Sequence, residues 1–255
     1  MAKPITTLTV TGTEMLGPAM LRIRFAGDLA AFEGYDDTDR YVKLLFTADG
    51  SPDLSGLAEG ERPAVRSYTV LDLDVPGGTL AIDFALHGIG FAMRWAREAQ
   101  AGDAVQVQGP GSGYAPDPTA DWYLFAGDDA ALPAIRQALA ALPSDAQGYA
   151  VVEVGSAADE LPLPAPAGVG LHWLHGDDPA SPGLAAAVRD LPWRDGRVDV
   201  FVHGEAQVVM KEIRPHLVAQ GVDPRTASIS GYWKRGLVDE EFRAWKRELA
   251  VAGAG

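Results

Sequence analysis

The sequence of 255 residues contains no cysteine. Disulfide bonds, thiolate nucleophiles, cysteine-ligated zinc and cysteine-bound iron–sulfur clusters are therefore excluded. The histidines suggest no alternative metal site, because His172, His175 and His203 are not spaced with carboxylates as metal ligands are. We therefore predict no metal site. The lack of cysteine is compatible with the cytosol but does not establish that compartment.

Basic residues are scarce, and long apolar runs are absent. The chain has 35 Asp and Glu against 21 Lys and Arg, so its formal net charge of -14 repels nucleic acid and anionic lipid. Its start, MAKPITTLTV, lacks the apolar core of a signal peptide. No apolar run approaches the ~20 residues of a membrane span. We expect a soluble, cytoplasmic monomer with neither nucleic acid nor membrane as a partner.

The first half of the chain has the pattern of a small antiparallel barrel. Short runs of alternating apolar and polar residues, separated by glycine, proline and acidic residues, predict six strands of an antiparallel β-barrel. These strands cover residues 5–12, 20–27, 40–47, 65–73, 78–86 and 103–109, and a helical segment at 90–100 follows the fifth.

The second half begins after a linker at 109–121 that is rich in glycine and proline. Strands and helices then alternate, which predicts a mostly parallel α/β sheet of the NAD(P)-binding type. The strands are 121–128, 149–155, 171–176, 198–204 and 227–233, and the helices are 131–142, 182–191 and 206–221. The predicted fold is thus α+β with two domains, 1–115 and 116–255.

Four consecutive residues on the fourth predicted strand, Arg66-Ser67-Tyr68-Thr69, carry the first functional signal. The arginine offers a bidentate fork to a phosphate. The tyrosine ring can lie against a planar cofactor, and a neighbouring hydroxyl can bond to its edge. An R-x-Y-[ST] quartet on a barrel strand resembles the motif with which the ferredoxin-reductase superfamily holds a flavin.

Two turns between a strand and a helix are further candidates. His87-Gly88-Ile89-Gly90 precedes the helix at 90–100, whose free N–H groups and positive dipole end suit a pyrophosphate. The alternative is a plain turn with a surface histidine. Gly127-Asp128-Asp129 stands where a dinucleotide binds in such sheets. Its two carboxylates would repel a pyrophosphate, so an acidic helix cap is an equal alternative.

On these segments the chain resembles the siderophore-interacting protein family, whose members are FAD-dependent ferric-siderophore reductases. The matching segments are YVKLLF, RSYTV, the D-F-x-x-H-G…W-A run, GDDAALPAI, SGYWKRG and EEFRAWK, which together span 41–246. The family usually has proline, alanine and a small hydroxyl residue after the second glycine of H-G-x-x-G. This chain has Phe91-Ala92-Met93 there, so backbone contacts to the flavin pyrophosphate are implied rather than a contact from a side-chain hydroxyl.

The resemblance and the motifs together predict the site residues. The predicted cofactor-binding residues are Arg66, Ser67, Tyr68, Thr69, Asp83, Phe84, His87, Gly88, Gly90, Ala92, Gly127, Asp128, Asp129, Ala131, Tyr232 and Trp233. Lys43, Lys234 and Arg235 are predicted to bind substrate, because an acidic protein needs a local positive patch to receive an anionic ferric complex. The alternative for Lys234 and Arg235 is pairing with Asp239, Glu240 or Glu241.

The implied function is reduction of a ferric siderophore. Non-covalently bound FAD would take a hydride from NADH or NADPH and pass single electrons to Fe(III). The resulting Fe(II) binds hard oxygen chelators far more weakly, which releases the metal. The loop at 155–160 contains no Lys or Arg to select NADPH. The alternatives are a general flavin or quinone reductase and a non-catalytic siderophore- or flavin-binding protein.

Overall fold

The computed structural model describes residues 3–86 and 90–237. By its internal packing the chain divides into two compact units. The first unit comprises Met1–Pro118, Arg136–Pro143 and Gly155–Ala165, and the second comprises Thr119–Ile135, Ser144–Val154 and Pro166–Gly255. Because the units interleave along the chain, the boundary expected between residues 115 and 116 stays a prediction.

The first unit contains an antiparallel sheet of seven strands. The strands are β1 (Ile5–Gly17), β2 (Met20–Gly27), β3 (Tyr41–Phe46), β4 (Ala64–Thr69), β5 (Leu71–Asp74), β6 (Thr79–Ala85) and β7 (Ala104–Gly111). Their order across the sheet is β4-β3-β7-β1-β2-β6-β5, and every neighbouring pair is antiparallel.

The two edge strands of this sheet, β4 and β5, are joined by Val70 alone. Two residues of extended chain span no more than ~7 Å. The end of β4 and the start of β5 must therefore lie close together, which brings the two edges of the sheet together at this point, as the predicted barrel requires.

The strand count of six was one too low. The run predicted as one strand at 65–73 forms both β4 and β5. At their junction Val70 is fully buried and donates its N–H to the carbonyl of Arg40 (2.8 Å), with no glycine or proline to mark the change of edge.

One helix packs against the core of the barrel. This helix, α1 (Phe91–Glu98), buries Ala92, Met93 and Ala96. The half-buried ring of Trp95 lies 6.4 Å from Phe25, 6.0 Å from Phe46 and 6.1 Å from Phe84, measured between centroids. Aromatic pairs at such distances stabilise a core beyond simple burial. The start of α1 is therefore held firmly against the barrel.

The second unit contains a parallel sheet of five strands. They are β8 (Trp122–Asp128), β9 (Gln147–Val154), β10 (Gly168–His175), β11 (Val198–Glu205) and β12 (Ser228–Trp233), in the order β10-β9-β8-β11-β12. All neighbouring pairs are parallel, which confirms the predicted α/β sheet. The strand order reverses at β8, and ligands of such sheets bind at the carboxyl ends of the strands around that point.

The helices of the second unit are shorter than the sequence predicts. They are α2 (Leu132–Ala140), whose first four residues belong to this unit and whose remainder belongs to the first, α3 (Leu184–Asp190) and α4 (Arg214–Ala219). The segment predicted as one helix at 206–221 is helical from residue 206 to residue 219, with a π-helix at Val208–Ile213 that continues as α4. Pro215, the second residue of α4, has no N–H with which to continue the ladder of backbone hydrogen bonds from the π-helix. Within residues 3–86 and 90–237, no helix combines the length and apolar character needed for a membrane span.

Candidate functional site

The predicted site residues fall into two groups, one in each unit. Those of the first unit lie on β3, β4 and β6 and at the start of α1. Those of the second unit lie at the carboxyl ends of β8 and β12 and just beyond them. His87 and Gly88 lie outside the described residues.

The strand register separates the predicted quartet. Arg66 stands opposite Leu44, and Ser67 stands opposite Lys43. Directly opposed residues of an antiparallel pair share a face, and successive residues alternate between faces. Arg66 and Tyr68 therefore share the face of the buried Leu44, whereas Lys43 and Ser67 lie together on the other face. The register thus groups Lys43 with the hydroxyl residue rather than with the arginine.

The guanidinium of Arg66 lies at the start of helix α1. Its Cζ is 4.0 Å from the centroid of the Phe91 ring, and its Nη1 donates to the carbonyl of Val65 (2.9 Å). Phe91 is the first residue of α1 and follows the N-cap residue Gly90. Two predicted features, the phosphate-binding arginine and the helix N-terminus, are thereby brought together.

The start of α1 is well suited to an anion. Its N-cap, Gly90, carries no side chain that could cap the helix, and its first turn holds no acidic residue. The intrahelical bonds begin at Arg94, whose N–H donates to Gly90 (3.1 Å), so the N–H groups of the first turn have no partner within the helix. Of the residues that the structure describes, apart from the chain neighbours of Gly90, none lies within 4 Å of the point where a Cβ on Gly90 would stand. These N–H groups, those of Phe91 and Ala92 among them, and the Arg66 guanidinium fit a flavin phosphate.

The ring of Tyr68 is backed by the barrel core. It is half-buried and lies 4.4 Å from the ring of Phe84, measured between centroids. Phe84 is fully buried, so its side chain supports Tyr68. Thr69 is half-buried at the end of β4. The cofactor contacts expected of these three residues stay predictions.

Asp83 has a structural partner in the barrel. Its Oδ1 accepts from Arg22 Nε (2.7 Å) and its Oδ2 accepts from Arg22 Nη2 (2.8 Å). Both side chains are more than nine-tenths buried. The hydrogen bonds that Arg22 donates to Asp83 raise the pKa of Arg22 against the opposing effect of burial. Asp83 therefore neutralises a buried cation, and its assignment to the cofactor site stays a prediction.

In the second unit, the carboxylate of Asp128 joins the ends of three strands. Its Oδ2 accepts from the N–H of Glu205 at the end of β11 (2.7 Å) and from Nε1 of Trp233 at the end of β12 (2.7 Å). Its Oδ1 accepts from the N–H of Ala130 (3.0 Å). Asp128 thus combines a bond within the turn that precedes α2 with a bond to the Trp233 indole. A direct contact of Asp128 or Asp129 with a cofactor stays a prediction.

Glu205 is a buried acid that the sequence analysis missed. Its Oε2 accepts from the N–H of Val208 (2.8 Å), and its Oε1 accepts from the N–H of Arg235 (3.1 Å). The signal for it was an acidic residue directly after the apolar run VDVFVHG. Its carboxylate fixes the backbone of the predicted basic segment.

Close packing explains two glycines of this region. Gly204 has φ +143°, and a Cβ there would lie 2.6 Å from Oδ2 of Asp128. A Cβ on Gly127 would lie 2.6 Å from the carbonyl oxygen of His203 and 2.7 Å from Cβ of Ala131, which is fully buried. Only glycine leaves room for the Asp128 carboxylate and for the close approach of α2 to the sheet.

The remaining predicted residues lie at the end of β12 and just after it. The ring of Tyr232 is 4.7 Å from that of His203, whose Nε2 is 2.9 Å from Oγ of Ser228. Lys234 donates through Nζ to Oε1 of Gln207 (3.3 Å), and Arg235 is exposed. The acids proposed as alternative partners, residues 239–241, lie outside the described residues. Among the residues that the structure describes, no group of three or more His, Asp or Glu could hold a metal ion.

Comparison with known proteins identifies the family. The model of the siderophore-interacting FAD-binding domain matches residues 9–114, and that of the siderophore-interacting protein matches residues 120–236. Ferric vibriobactin reductase ViuB of Vibrio cholerae serotype O1 is 34% identical over 241 residues, which cover 88% of this chain and 87% of that protein. The chain belongs to the siderophore-interacting protein family.

One further relative and one solved structure support this family membership. The NADPH-dependent ferric-chelate reductase of Escherichia coli strain K12 is 32% identical over 240 residues, covering 89% of this chain and 91% of that protein. The crystal structure of the siderophore-interacting protein SipS from Aeromonas hydrophila superposes with a TM-score of 0.83 at 28% identity, covering 97% of this chain and 98% of that one. The resemblance drawn from the sequence is confirmed, and the chain is an FAD-dependent oxidoreductase.

Proposed function

We propose that this siderophore-interacting protein is a cytoplasmic, monomeric ferric-siderophore reductase that takes its electrons from NADH or NADPH. The observation that carries the proposal is the Arg66 guanidinium at the uncapped start of α1, within the segment matched by the FAD-binding model. A cation and a bare helix N-terminus together favour a phosphate, although the chain as a whole has a net charge of -14.

The predicted site residues of the first unit bind the flavin. Bound FAD supplies the redox chemistry, since a flavin takes up a hydride from a nicotinamide and gives up electrons singly. Arg66 and the first-turn N–H groups of α1 bind phosphate, and the half-buried ring of Tyr68 lies against the isoalloxazine. Ser67 and Thr69 offer hydroxyl groups at its edge.

The basic segment of the second unit has the task of receiving the substrate. Ferric tris-catecholates and related complexes are anions, so Lys234 and Arg235 offer them a local positive charge. The bond from the Arg235 N–H to Glu205 and that from the Trp233 indole to Asp128 support this arrangement, because they fix the backbone on both sides of Lys234. Lys43 of the first unit is proposed as a third positive contact.

We propose that either NADH or NADPH can serve as the electron donor. The loop at 155–160 carries no basic residue that would select the 2′-phosphate of NADPH. The name of the Escherichia coli relative includes NADPH. We therefore expect turnover with both donors, and comparing the rates with NADH and NADPH tests whether this chain shares the donor named for that relative.

Spectroscopy of the purified protein tests the proposal. The protein loaded with FAD should be yellow, bleach on anaerobic addition of NADH or NADPH, and regain its colour with a ferric tris-catecholate while an Fe(II) chelator develops its signal. Failure of both donors to bleach the flavin would indicate a binding protein. Turnover on free flavin or quinones without turnover on ferric siderophores would indicate a general reductase.

Steady-state kinetics test the role of the basic segment. The double variant Lys234→Ala/Arg235→Ala should keep its FAD and its reduction by nicotinamide, while KM for an anionic ferric siderophore rises and depends less on salt. The matched control is Arg189→Ala/Arg225→Ala, which removes two exposed positive charges from the same unit. Equal KM values and salt slopes for both double variants would show that Lys234 and Arg235 do not bind substrate.

A further inference from the structure

The first residue of α1 lies directly beneath the arginine that is proposed to bind phosphate. Phe91 stands at a position where the chain departs from its family pattern, and its ring centroid is 4.0 Å from Cζ of Arg66. We propose that Phe91 is a positioning residue whose ring holds the Arg66 guanidinium at the N-terminus of α1, ready for the flavin phosphate. This inference rests on the proposed function, because it presupposes that Arg66 binds FAD.

The ring of Phe91 is itself fixed from behind. It meets the fully buried ring of Phe46 edge-on, with 5.1 Å between the centroids. Gly50 has φ +90°, and a Cβ at Gly50 would collide with Cβ of Phe91. The slot for Phe91 therefore depends on a glycine that the backbone conformation also requires. A ring packed in this way cannot follow a moving guanidinium, so it defines one place for it.

Two contacts then restrain the guanidinium of Arg66. The face of an aromatic ring attracts a cation, and the carbonyl of Val65 accepts from Nη1 (2.9 Å). An unrestrained arginine loses much rotamer freedom when it binds a ligand, whereas one that is already held loses less. Phe91 thus increases the affinity for phosphate without contacting it. Because Phe91 is also the first residue of α1, the cation is held next to the free N–H groups of the helix.

Fluorescence titration with FAD tests the proposal in a double-mutant cycle. Phe91→Leu keeps an apolar side chain but removes the ring face, and it should raise the Kd for FAD about three- to tenfold. Phe91→Tyr keeps the face and should stay within about twofold of wild type. Arg66→Ala should raise the Kd roughly ten- to a hundredfold. In the Arg66→Ala background, Phe91→Leu should have no further effect, because its partner is gone.

Each other outcome overturns a defined statement. If Phe91→Leu binds FAD like wild type while Arg66→Ala binds weakly, Phe91 does not position Arg66 and the proposed function stands. The same loss from Phe91→Leu with and without Arg66 would show a general effect on the barrel and would also overturn the proposal. Wild-type affinity in Arg66→Ala would remove the phosphate assignment and this inference together. Phe91→Met, which also lacks a ring face, repeats the test with a second side chain, and circular dichroism confirms folding of each variant.

Discussion

The N-terminus of α1 in the first unit and the carboxyl end of β8 in the second unit have opposite electrostatic character. Helix α1 starts at a glycine, has no acid in its first turn and has the Arg66 guanidinium over its first residue. The last residue of β8 is Asp128, whose two carboxylate oxygens accept hydrogen bonds from three N–H groups. The N-terminus of α1 is complementary to an anionic ligand. At the carboxyl end of β8 the N–H groups already bind the carboxylate of Asp128.

The difference shows why position in the fold is not enough to assign a phosphate site. The carboxyl end of β8 is where a dinucleotide binds in sheets of this type. The carboxylate of Asp128 at this end, however, accepts hydrogen bonds from Trp233 and from the end of β11. At the start of α1, the residues that the structure describes include no acidic side chain in the first helical turn and no side-chain cap. We therefore propose that phosphate binds at the N-terminus of α1 and that Asp128 holds the segment that carries Lys234 and Arg235.

The largest effect on stability is expected at Asp83, the acidic residue of the first unit that was predicted to bind the cofactor. Asp83→Ala should destabilise the fold by about 3–5 kcal/mol, because it leaves the buried guanidinium of Arg22 without its partner. The control is Asp72→Asn, which removes an exposed negative partner of the same arginine at 3.3 Å, keeps a residue type that tolerates the φ of +47° found there, and should cost no more than about 1 kcal/mol. Urea unfolding measures both, and equal losses would contradict the structural role of Asp83.

A smaller loss of stability is expected from a substitution at Asp128, at the carboxyl end of β8. In Asp128→Asn one carboxylate oxygen becomes an amide nitrogen, which cannot accept, so at least one N–H loses its partner at a cost of about 1–3 kcal/mol. The matched control is Asp178→Asn, where an exposed aspartate also accepts from the N–H two residues on (2.9 Å). That change should cost less than about 0.5 kcal/mol. Equal unfolding midpoints of the two variants would show that Asp128 does not hold the strand ends.

The smallest effect is expected at the exposed carboxylate of Asp223, where hydrogen bonds favour the charged form. The hydrogen bonds from Arg225 lower the pKa of Asp223 from 3.8 to about 2. Because the pKa in the folded state is depressed, the stabilisation is complete above about pH 4 and is lost as the pH falls through about 2. Arg225→Ala should move the NMR titration midpoint of Asp223 towards 3.8. An unchanged midpoint would remove Arg225 as the cause.

The architecture could be predicted because its signals are local. Alternation with a period of two and the succession of strands and helices are visible within short windows of sequence. The switch from β4 to β5 at Val70 was missed, because a change of sheet edge within a continuous apolar pattern depends on tertiary structure. The π-helix before α4 was missed for the same reason.

The site was predictable in its residue types and less so in its pairings. The role of Asp128 stayed open in the sequence, since its partner Trp233 is 105 positions away. Glu205 was missed because an acid after a strand looks like a surface residue until its acceptor bonds are known. Phe91 was visible only as a departure from the family pattern, and its contact with Arg66 joins residues of a strand and a helix that are 25 positions apart in sequence.

The affinity for FAD of two variants, Arg66→Ala and Asp128→Asn, measured side by side by fluorescence titration, tests the contrast between the N-terminus of α1 and the carboxyl end of β8 most directly. The account predicts that Arg66→Ala raises the Kd roughly ten- to a hundredfold. Asp128→Asn should stay within about twofold of wild type at a temperature where it is folded. The reverse order, with Asp128→Asn binding FAD more weakly than Arg66→Ala, would contradict the account.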